Sequence, residues 1–445
     1  MATKRIQQRK IQDYDPWYAR LRRYVDFLLK CSYREIRYVG TERIPKDGAV
    51  IYAPNHTNAL MDALVVLAMD RQPKVFVARA DIFKNPTLAK IFRFLKIMPI
   101  MRIRDGFNEV KKNNETIEKA AEVLRDKVPF CIFPEGQHLA KHSALPLSKG
   151  IFRIALQAQE QLREVPLYIV PVSLHYGNFF RFRSTVLVQI GHPIPVKEFM
   201  AEHQELSPQE QINLLKDQLT LRMREVVSPI ADDEHYDAIY EICAIAATLQ
   251  VRALPATSKR RNNLEASFEA HKRTLKTIRT MREEQPDKAA ELLRLSAEAS
   301  ELRRKKGISL GSVAVRYPFL SRLLKILIWL VTLPYSVSVS VLTLPINALV
   351  QWIFSKLKDR AFRNSVRYVA YLVLWPILLL VYAVVACVVL PSWWPVVAIL
   401  LLLPAPIVAH DSWHLVRLGI SDLRLLCCKS LRKRHQTIRK LVIHE

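Results

Sequence analysis

Two long stretches without a single charged side chain limit what this chain can become. Residues 326–355 form an uncharged run of 30 residues that contains Pro334 and Pro345, and residues 368–409 form another of 42. A helix needs about 20 apolar residues to cross the hydrocarbon layer of a bilayer. The second run therefore predicts two spans, 368–390 and 394–409, with a turn at Pro391-Ser392-Trp393-Trp394-Pro395. Tryptophans suit the headgroup boundary. The first run predicts either one tilted span or a re-entrant element, since two legs of about 15 residues would each reach only about 22 Å. Arg322 and Lys325 precede it, and Lys356, Lys358, Arg360, Arg363 and Arg367 follow it. The positive-inside rule puts both basic flanks in the cytoplasm, which favours the re-entrant form. Residues 322–445 are expected to be a membrane domain that ends in a basic tail from Arg417 to Lys440.

Ahead of this region the pattern changes. Residues 1–33 hold an amphipathic helix that starts at Asp15-Pro16 and carries Trp17, Leu21, Tyr24, Val25, Leu28 and Leu29 at helical spacing, with Arg20, Arg22 and Arg23 between them. Such a helix either covers a core or lies on a membrane surface. Residues 34–205 alternate between short β-rich runs (50–53, 74–78, 130–133, 167–174, 185–190) and helical stretches (116–125, 151–160). Alternation of this kind predicts an α/β domain with a largely parallel sheet. Residues 206–321 read as a charged helical region. It opens on the capping-box sequence Ser207-Pro208-Gln209-Glu210 and is broken at Pro286, and its charges are expected to form a solvated face.

The formal net charge is +26 in 445 residues. Such a balance suits an anionic partner. The charge allows nucleic acid, but it is not the expected partner, because the basic residues spread over helices with neither an aromatic-rich sheet nor a zinc pattern. An anionic membrane and phosphorylated substrates remain. The six cysteines show no metal or redox spacing and are expected to be reduced. Met1 to Gln8 has no apolar core after its charges, so no signal peptide is expected there.

Four blocks in the α/β region carry chemistry. The first is Asn55-His56-Thr57-Asn58-Ala59-Leu60-Met61-Asp62, after the apolar run 49–53 and Pro54 and before a buried helix. It places a histidine at a strand end and an aspartate a turn or more inside the following helix, which suits a base and the carboxylate that orients it. The second, Met98-Pro99-Ile100-Met101-Arg102-Ile103-Arg104-Asp105, is an apolar strand that delivers two guanidinium groups, natural partners of a phosphate. The third is Phe133-Pro134-Glu135-Gly136, with Pro146-Leu147-Ser148-Lys149-Gly150 downstream. It puts a carboxylate at a strand end. The fourth, 165–172, is an apolar strand holding Pro171. Cys131 reads as core packing; His138 and His142 could form a second base pair, but their loop position favours solvated histidines. No four-ligand metal pattern appears, so no metal is expected.

In this order and at these distances the four blocks resemble the glycerolipid acyltransferases with an H-x4-D motif, the glycerol-3-phosphate and 1-acylglycerol-3-phosphate acyltransferases. The resemblance covers roughly residues 35–200. One departure stands out: five residues, not four, separate His56 from Asp62. On an ideal helix the extra residue would rotate Asp62 by about 100°. Because His56 precedes the helix, the turn can absorb it. A fungal-type branch of glycerol-3-phosphate/dihydroxyacetone-phosphate acyltransferases has similar spacing, with an asparagine two after the histidine, like Asn58 here.

The resemblance implies direct acyl transfer from an acyl thioester (acyl-CoA or acyl carrier protein), with no further cofactor. His56 would be the general base and Asp62 its orienter. Asn58, Arg102, Arg104, Glu135, Gly136 and Lys149 would bind substrate, Arg102 foremost for the acceptor phosphate. The acceptor would be a glycerol phosphate or a lysophospholipid, and the catalytic domain of this integral membrane protein would face the cytoplasm. The alternatives are a lysophospholipid acyltransferase or a transacylase in phospholipid remodelling, and a non-enzymatic lipid-binding tether.

Overall fold

The computed structural model describes residues 10–100, 113–254, 263–313 and 318–443. It divides into two compact units: Met1–Val227 together with Asp359–Ser365, and Ser228–Lys358 together with Val366–Glu445.

The first unit is an α/β domain. In chain order it contains α1 (Pro16–Ser32), β1 (Tyr33–Val39), β2 (Ala49–Pro54), α2 (Leu60–Leu67), β3 (Val75–Arg79), α3 (Pro86–Phe94) and β4 (Ile97–Ile100). Then come α4 (Asn113–Arg125), β5 (Phe130–Cys131), α5 (Gly150–Leu162), β6 (Leu167–Tyr176), β7 (Ser184–Ile190), β8 (Ile194–Pro195), α6 (Val196–Glu202) and α7 (Pro208–Val226). The strands form one sheet in the order β1-β7-β6-β2-β5-β3-β4, with β8 on β6. All pairings are parallel except those of β6 with β7 and β8.

Local chemistry sets the helix starts. The Asp15 side chain accepts from the amides of Trp17 and Tyr18, and Asn85 does the same for Thr87 and Leu88, each ahead of a proline in the first turn. Ser207 and Glu210 close the capping box reciprocally.

Strand β2 lies in the middle of the sheet, and all six of its residues are buried. Its alternate residues Ala49, Ile51 and Ala53 join a core with Leu124 of α4, Ile151 and Phe152 of α5, and Leu215 and Leu219 of α7. Two covered faces explain why the run reads as continuously apolar.

Pro171 stands inside β6, where a missing amide donor would ordinarily break the ladder. Its place is the changeover point: β8 pairs with Tyr168 and Ile169, while β7 begins at Val172. Gly191 fills the changeover, donating its amide to Pro171 O at 2.9 Å. A Cβ on Gly191 would meet Pro171 Cγ at 2.8 Å, so only glycine fits.

The second unit is helical: α8 (Tyr236–Ala253), α9 (Asn263–Glu284), α10 (Pro286–Lys305), α11 (Leu310–Val313), α12 (Pro318–Leu342), α13 (Leu344–Lys356), α14 (Arg363–Val389, its first residues in the first unit), α15 (Trp394–Leu402), α16 (Ala405–Cys427) and α17 (Lys429–Ile443). Helices α8, α9, α10 and α17 share a core that includes Ile242, Ile278, Leu292, Leu431 and Ile438. The stretch expected to be a basic tail thus consists of the end of α16 and all but the last residues of α17, joined at Cys428, and α17 buries Leu431, Ile438 and Val442. Buried Glu241 is held by Arg303 at 2.7 Å.

Among the described residues two helices are long and apolar enough to cross a membrane, Leu320–Leu342 and Arg360–Val389. A third candidate is the pair Trp394–Leu402 and Ala405–Cys427, bent by 51°. The uncharged run 326–355 is divided at Thr343, between α12 and α13, whereas Pro334 lies within α12. Helices α12 and α16 are tied by polar pairs: Lys325 to Asp422 at 2.6 Å, Thr332 to Ser412 at 3.1 Å, and Trp413 Nε1 to Ser340 at 2.8 Å.

Candidate active site

The turn between β2 and α2 carries the site. Asn55 anchors it: its backbone amide donates to Val172 O, and its side chain accepts from the amide of Leu174 at 2.6 Å, extending the β2–β6 pairing past the strand end. Residues 55–59 are not helical, and Ala59 adopts φ +47°, a region that a residue with a Cβ rarely occupies. The helix therefore begins only at Leu60, and Asp62 lies in its first turn, not a turn or more inside. This absorbs the extra residue between His56 and Asp62.

Asp62 is fully buried and collects four donors. Its Oδ2 accepts from His56 Nδ1 at 2.8 Å and from the amides of Thr57 and Asn58 at 2.7 and 2.6 Å. Its Oδ1 accepts from the Tyr176 hydroxyl at 2.7 Å. A carboxylate that accepts at Nδ1 leaves the proton there and Nε2 as the basic nitrogen. Tyr176, the last residue of β6, is the member of this cluster that the sequence motifs miss. Burial and the Asp62 charge push its hydroxyl well above the ordinary tyrosine range, so it stays a donor. Tyr33 packs against it, 6.1 Å between ring centroids.

The His56 ring stacks on Phe133 at 4.1 Å and 24°. Its backbone amide donates to Glu135 Oε2 at 3.1 Å, and its carbonyl accepts from Leu139 N at 3.1 Å. The first and third blocks are thus sewn together through the backbone. The phrase 146–150 joins them where Ser148 N donates to Pro134 O at 2.7 Å. Gly136 has φ +65°, which explains a glycine after the glutamate. Lys149 is half-buried at the N-cap of α5. Arg102 and Arg104 lie outside the described residues.

Glu135 is 7% exposed. Burial pushes its carboxyl up to about 8, with Asp62 adding to the rise and the amides of His56 and Leu145 opposing it. At neutral pH this side chain is mostly a protonated acid, able to donate as well as accept. Because the folded value lies above the usual 4.5, the contribution to stability is complete below about pH 4.5 and is lost as pH rises towards 8. Glu135→Gln removes that dependence. Thermal unfolding of both proteins from pH 5 to 8 should show the wild type losing ground to the variant by several degrees; parallel curves would refute the assignment.

Asn58 is fully buried, and neither end of its side-chain amide has a hydrogen-bond partner among the described residues. That is polar capacity left over beside His56. Cys131 is fully buried and burial raises its thiol well above the ordinary range, so it is a neutral core residue and not a nucleophile. His138 and His142 are packed, not solvated. His142 stacks on His175 at 4.5 Å, and His138 meets His56 edge-on. Among the described residues no three His, Cys, Asp or Glu side chains are grouped to hold a metal.

A part-buried imidazole paired with a buried carboxylate stands at the end of a central strand in a mostly parallel α/β sheet, an arrangement chemically able to take up a proton. Residues 35–175 match the family model described as Acyltransferase. Over 192 residues it is 30% identical to glycerol-3-phosphate O-acyltransferase 2 of Saccharomyces cerevisiae, covering 42% of this chain and 25% of that protein. Over 315 residues it is 20% identical to glycerol-3-phosphate O-acyltransferase 1 of the same yeast, covering 51% and 41%. A 1-acyl-sn-glycerol-3-phosphate acyltransferase of Borreliella burgdorferi is 26% identical over 199 residues, covering 43% of this chain and 73% of that protein. Among solved structures, the 1-acyl-sn-glycerophosphate (LPA) acyltransferase PlsC of Thermotoga maritima is similar at 23% identity. That match covers 47% of this chain and 78% of the other, with a TM-score of 0.34. The chain spans between a quarter and about two fifths of the length of the two yeast relatives.

Proposed function

We propose that this protein is a membrane-bound O-acyltransferase of phospholipid synthesis, moving a fatty acyl group from an acyl thioester to a glycerol-3-phosphate or 1-acylglycerol-3-phosphate acceptor. The observation that carries the reading is the His56–Asp62 pair, with the Asp62 carboxylate fixed by four donors. His56 Nε2 takes the proton of the acceptor hydroxyl. The freed oxygen attacks the thioester carbonyl, the C–S bond breaks, and the imidazolium returns the proton to the departing thiolate. Asp62 stabilises the imidazolium between the two transfers. No acyl-enzyme and no cofactor beyond the donor substrate are needed. Protonated Glu135 and the buried Asn58 amide suit the glycerol hydroxyls, and Gly136 lets the backbone pass close to them. Lys149, Arg102 and Arg104 supply positive charge for the acceptor phosphate, Arg102 foremost.

The apolar helices fit a lipid product and a membrane-borne acceptor. Basic residues on both flanks of the first of them favour a catalytic domain on the cytoplasmic side of that membrane. The basic N-terminal helix and the basic α17 fit anionic headgroups. The test is purified full-length protein in nanodiscs with radiolabelled acyl-CoA, offered glycerol-3-phosphate, dihydroxyacetone phosphate, lysophosphatidic acid and lysophosphatidylcholine side by side. Product with one of the phosphate-terminated acceptors is expected. Product only with lysophosphatidylcholine would move the protein to remodelling, and no product with acyl-CoA or acyl carrier protein would leave the lipid-binding tether.

A further inference from the structure

We infer that His138 is a positioning residue for the general base, held in place by Asp359 and Phe362 of the distant segment Asp359–Ser365. The inference rests on the acyl-transfer reading above and adds to it a part of the site supplied from beyond the family-matched residues 35–175. In the chain, this segment connects the apolar helices α12 and α13 to α14. In space, it belongs to the first unit.

The contacts form one chain of rings. His56 stacks on Phe133 on one side, and His138 meets it edge-on at 5.4 Å and 73°. Phe362 in turn meets His138 edge-on at 4.9 Å and 86°. Asp359 Oδ2 takes His138 Nε2 at 2.8 Å, which fixes the rotation of that ring. The segment is itself anchored. Asp359 Oδ1 accepts from Ala361 N at 2.8 Å, and buried Asn364 donates from Nδ2 to Phe179 O at 2.5 Å. Ala361 and Ser365 are buried as well.

Asp359 is the only acid in the stretch 358–363, among Lys358, Arg360 and Arg363, and its carboxylate is directed to His138. Its side chain is 51% exposed and that of His138 is 20% exposed. A half-exposed hydrogen bond between two side chains contributes little to folding. What the pair does instead is hold an aromatic wall against the base. Position of that kind acts on the reaction step, because a base displaced by a fraction of an ångström transfers a proton poorly.

The experiment uses full-length protein in nanodiscs with Asp359→Ala, Asp359→Glu, His138→Ala, Phe362→Ala and the double variant His138→Ala/Asp359→Ala. Each of Asp359→Ala and His138→Ala is expected to lower kcat roughly tenfold. The acceptor KM should change less than about twofold, since the binding groups are intact. The double variant should be no worse than either single one, because the two residues act as a unit. Asp359→Glu should recover most of the loss. In parallel, carbethoxylation of His56 by diethyl pyrocarbonate, read by peptide mass spectrometry, should quicken several-fold in Phe362→Ala and Asp359→Ala at unchanged Tm. Unchanged kcat with unchanged His56 modification would overturn the inference. So would a loss confined to KM, or a loss that tracks a fall in Tm. A wild type that makes no product with any acceptor would overturn the acyl-transfer reading instead, and the His56 modification rates would still decide whether Asp359 and Phe362 hold the wall in place.

Discussion

Replacing His56 by alanine should reduce acyl transfer by about 10²–10⁴-fold, the range that a general base supplies. The physical reason is that, among the described residues of the site, His56 is the one imidazole paired to a buried carboxylate. His138, the neighbouring imidazole, has its Nε2 committed to Asp359. The fold should tolerate the change, because the ring is bounded by Phe133 and His138 and its backbone contacts to Glu135 and Leu139 do not depend on the side chain. Product formation from radiolabelled acyl-CoA, compared at matched Tm, checks this. A variant with near wild-type turnover would remove His56 from the chemistry and favour the non-enzymatic tether.

Asp62→Asn is the second large effect, expected at about 10³-fold in kcat with the acceptor KM nearly unchanged. Three donors converge on one carboxylate oxygen and a fourth on the other. An asparagine has only one oxygen to offer. If that oxygen faces His56, Thr57 and Asn58, its NH2 faces Tyr176 and the imidazolium loses its counter-charge. If it faces Tyr176, its NH2 confronts three N–H groups. Either arrangement leaves a buried donor poorly served, so Tm should fall as well. Measuring kcat and KM separately distinguishes lost proton transfer from lost binding. A variant that kept its kcat would show that Asp62 serves the turn and not the base.

Much of the site was legible because its parts are local. The strand ending at Pro54, the histidine after it and the aspartate in the next helix lie within nine residues, and the turn residues fix their geometry. The phrases 133–136 and 146–150 stood out in the sequence, and the structure joins them through Ser148 N and Pro134 O. Periodicity places Asp62 too deep in the helix, because apolar spacing does not register a non-helical Ala59 or where a helix actually begins. His138 and His142 were read as solvated for a similar reason: a polar loop sequence carries no record of the aromatic side chains that other segments bring to it.

By itself the sequence determined the largely parallel α/β domain, the uncharged helices, the capping box at Ser207 and the histidine–aspartate block. Each follows from propensity, hydrophobic period or side-chain chemistry over a few consecutive residues. Only the tertiary structure decided that Tyr176 completes the shell of Asp62 from 114 positions away, and that Asp359 reaches His138 across 221. It also decided that the last basic helix buries Leu431, Ile438 and Val442 in a core. These depend on which surfaces meet after the sheet and the bundle have packed, and long-range contacts of that kind leave no periodic trace in the chain.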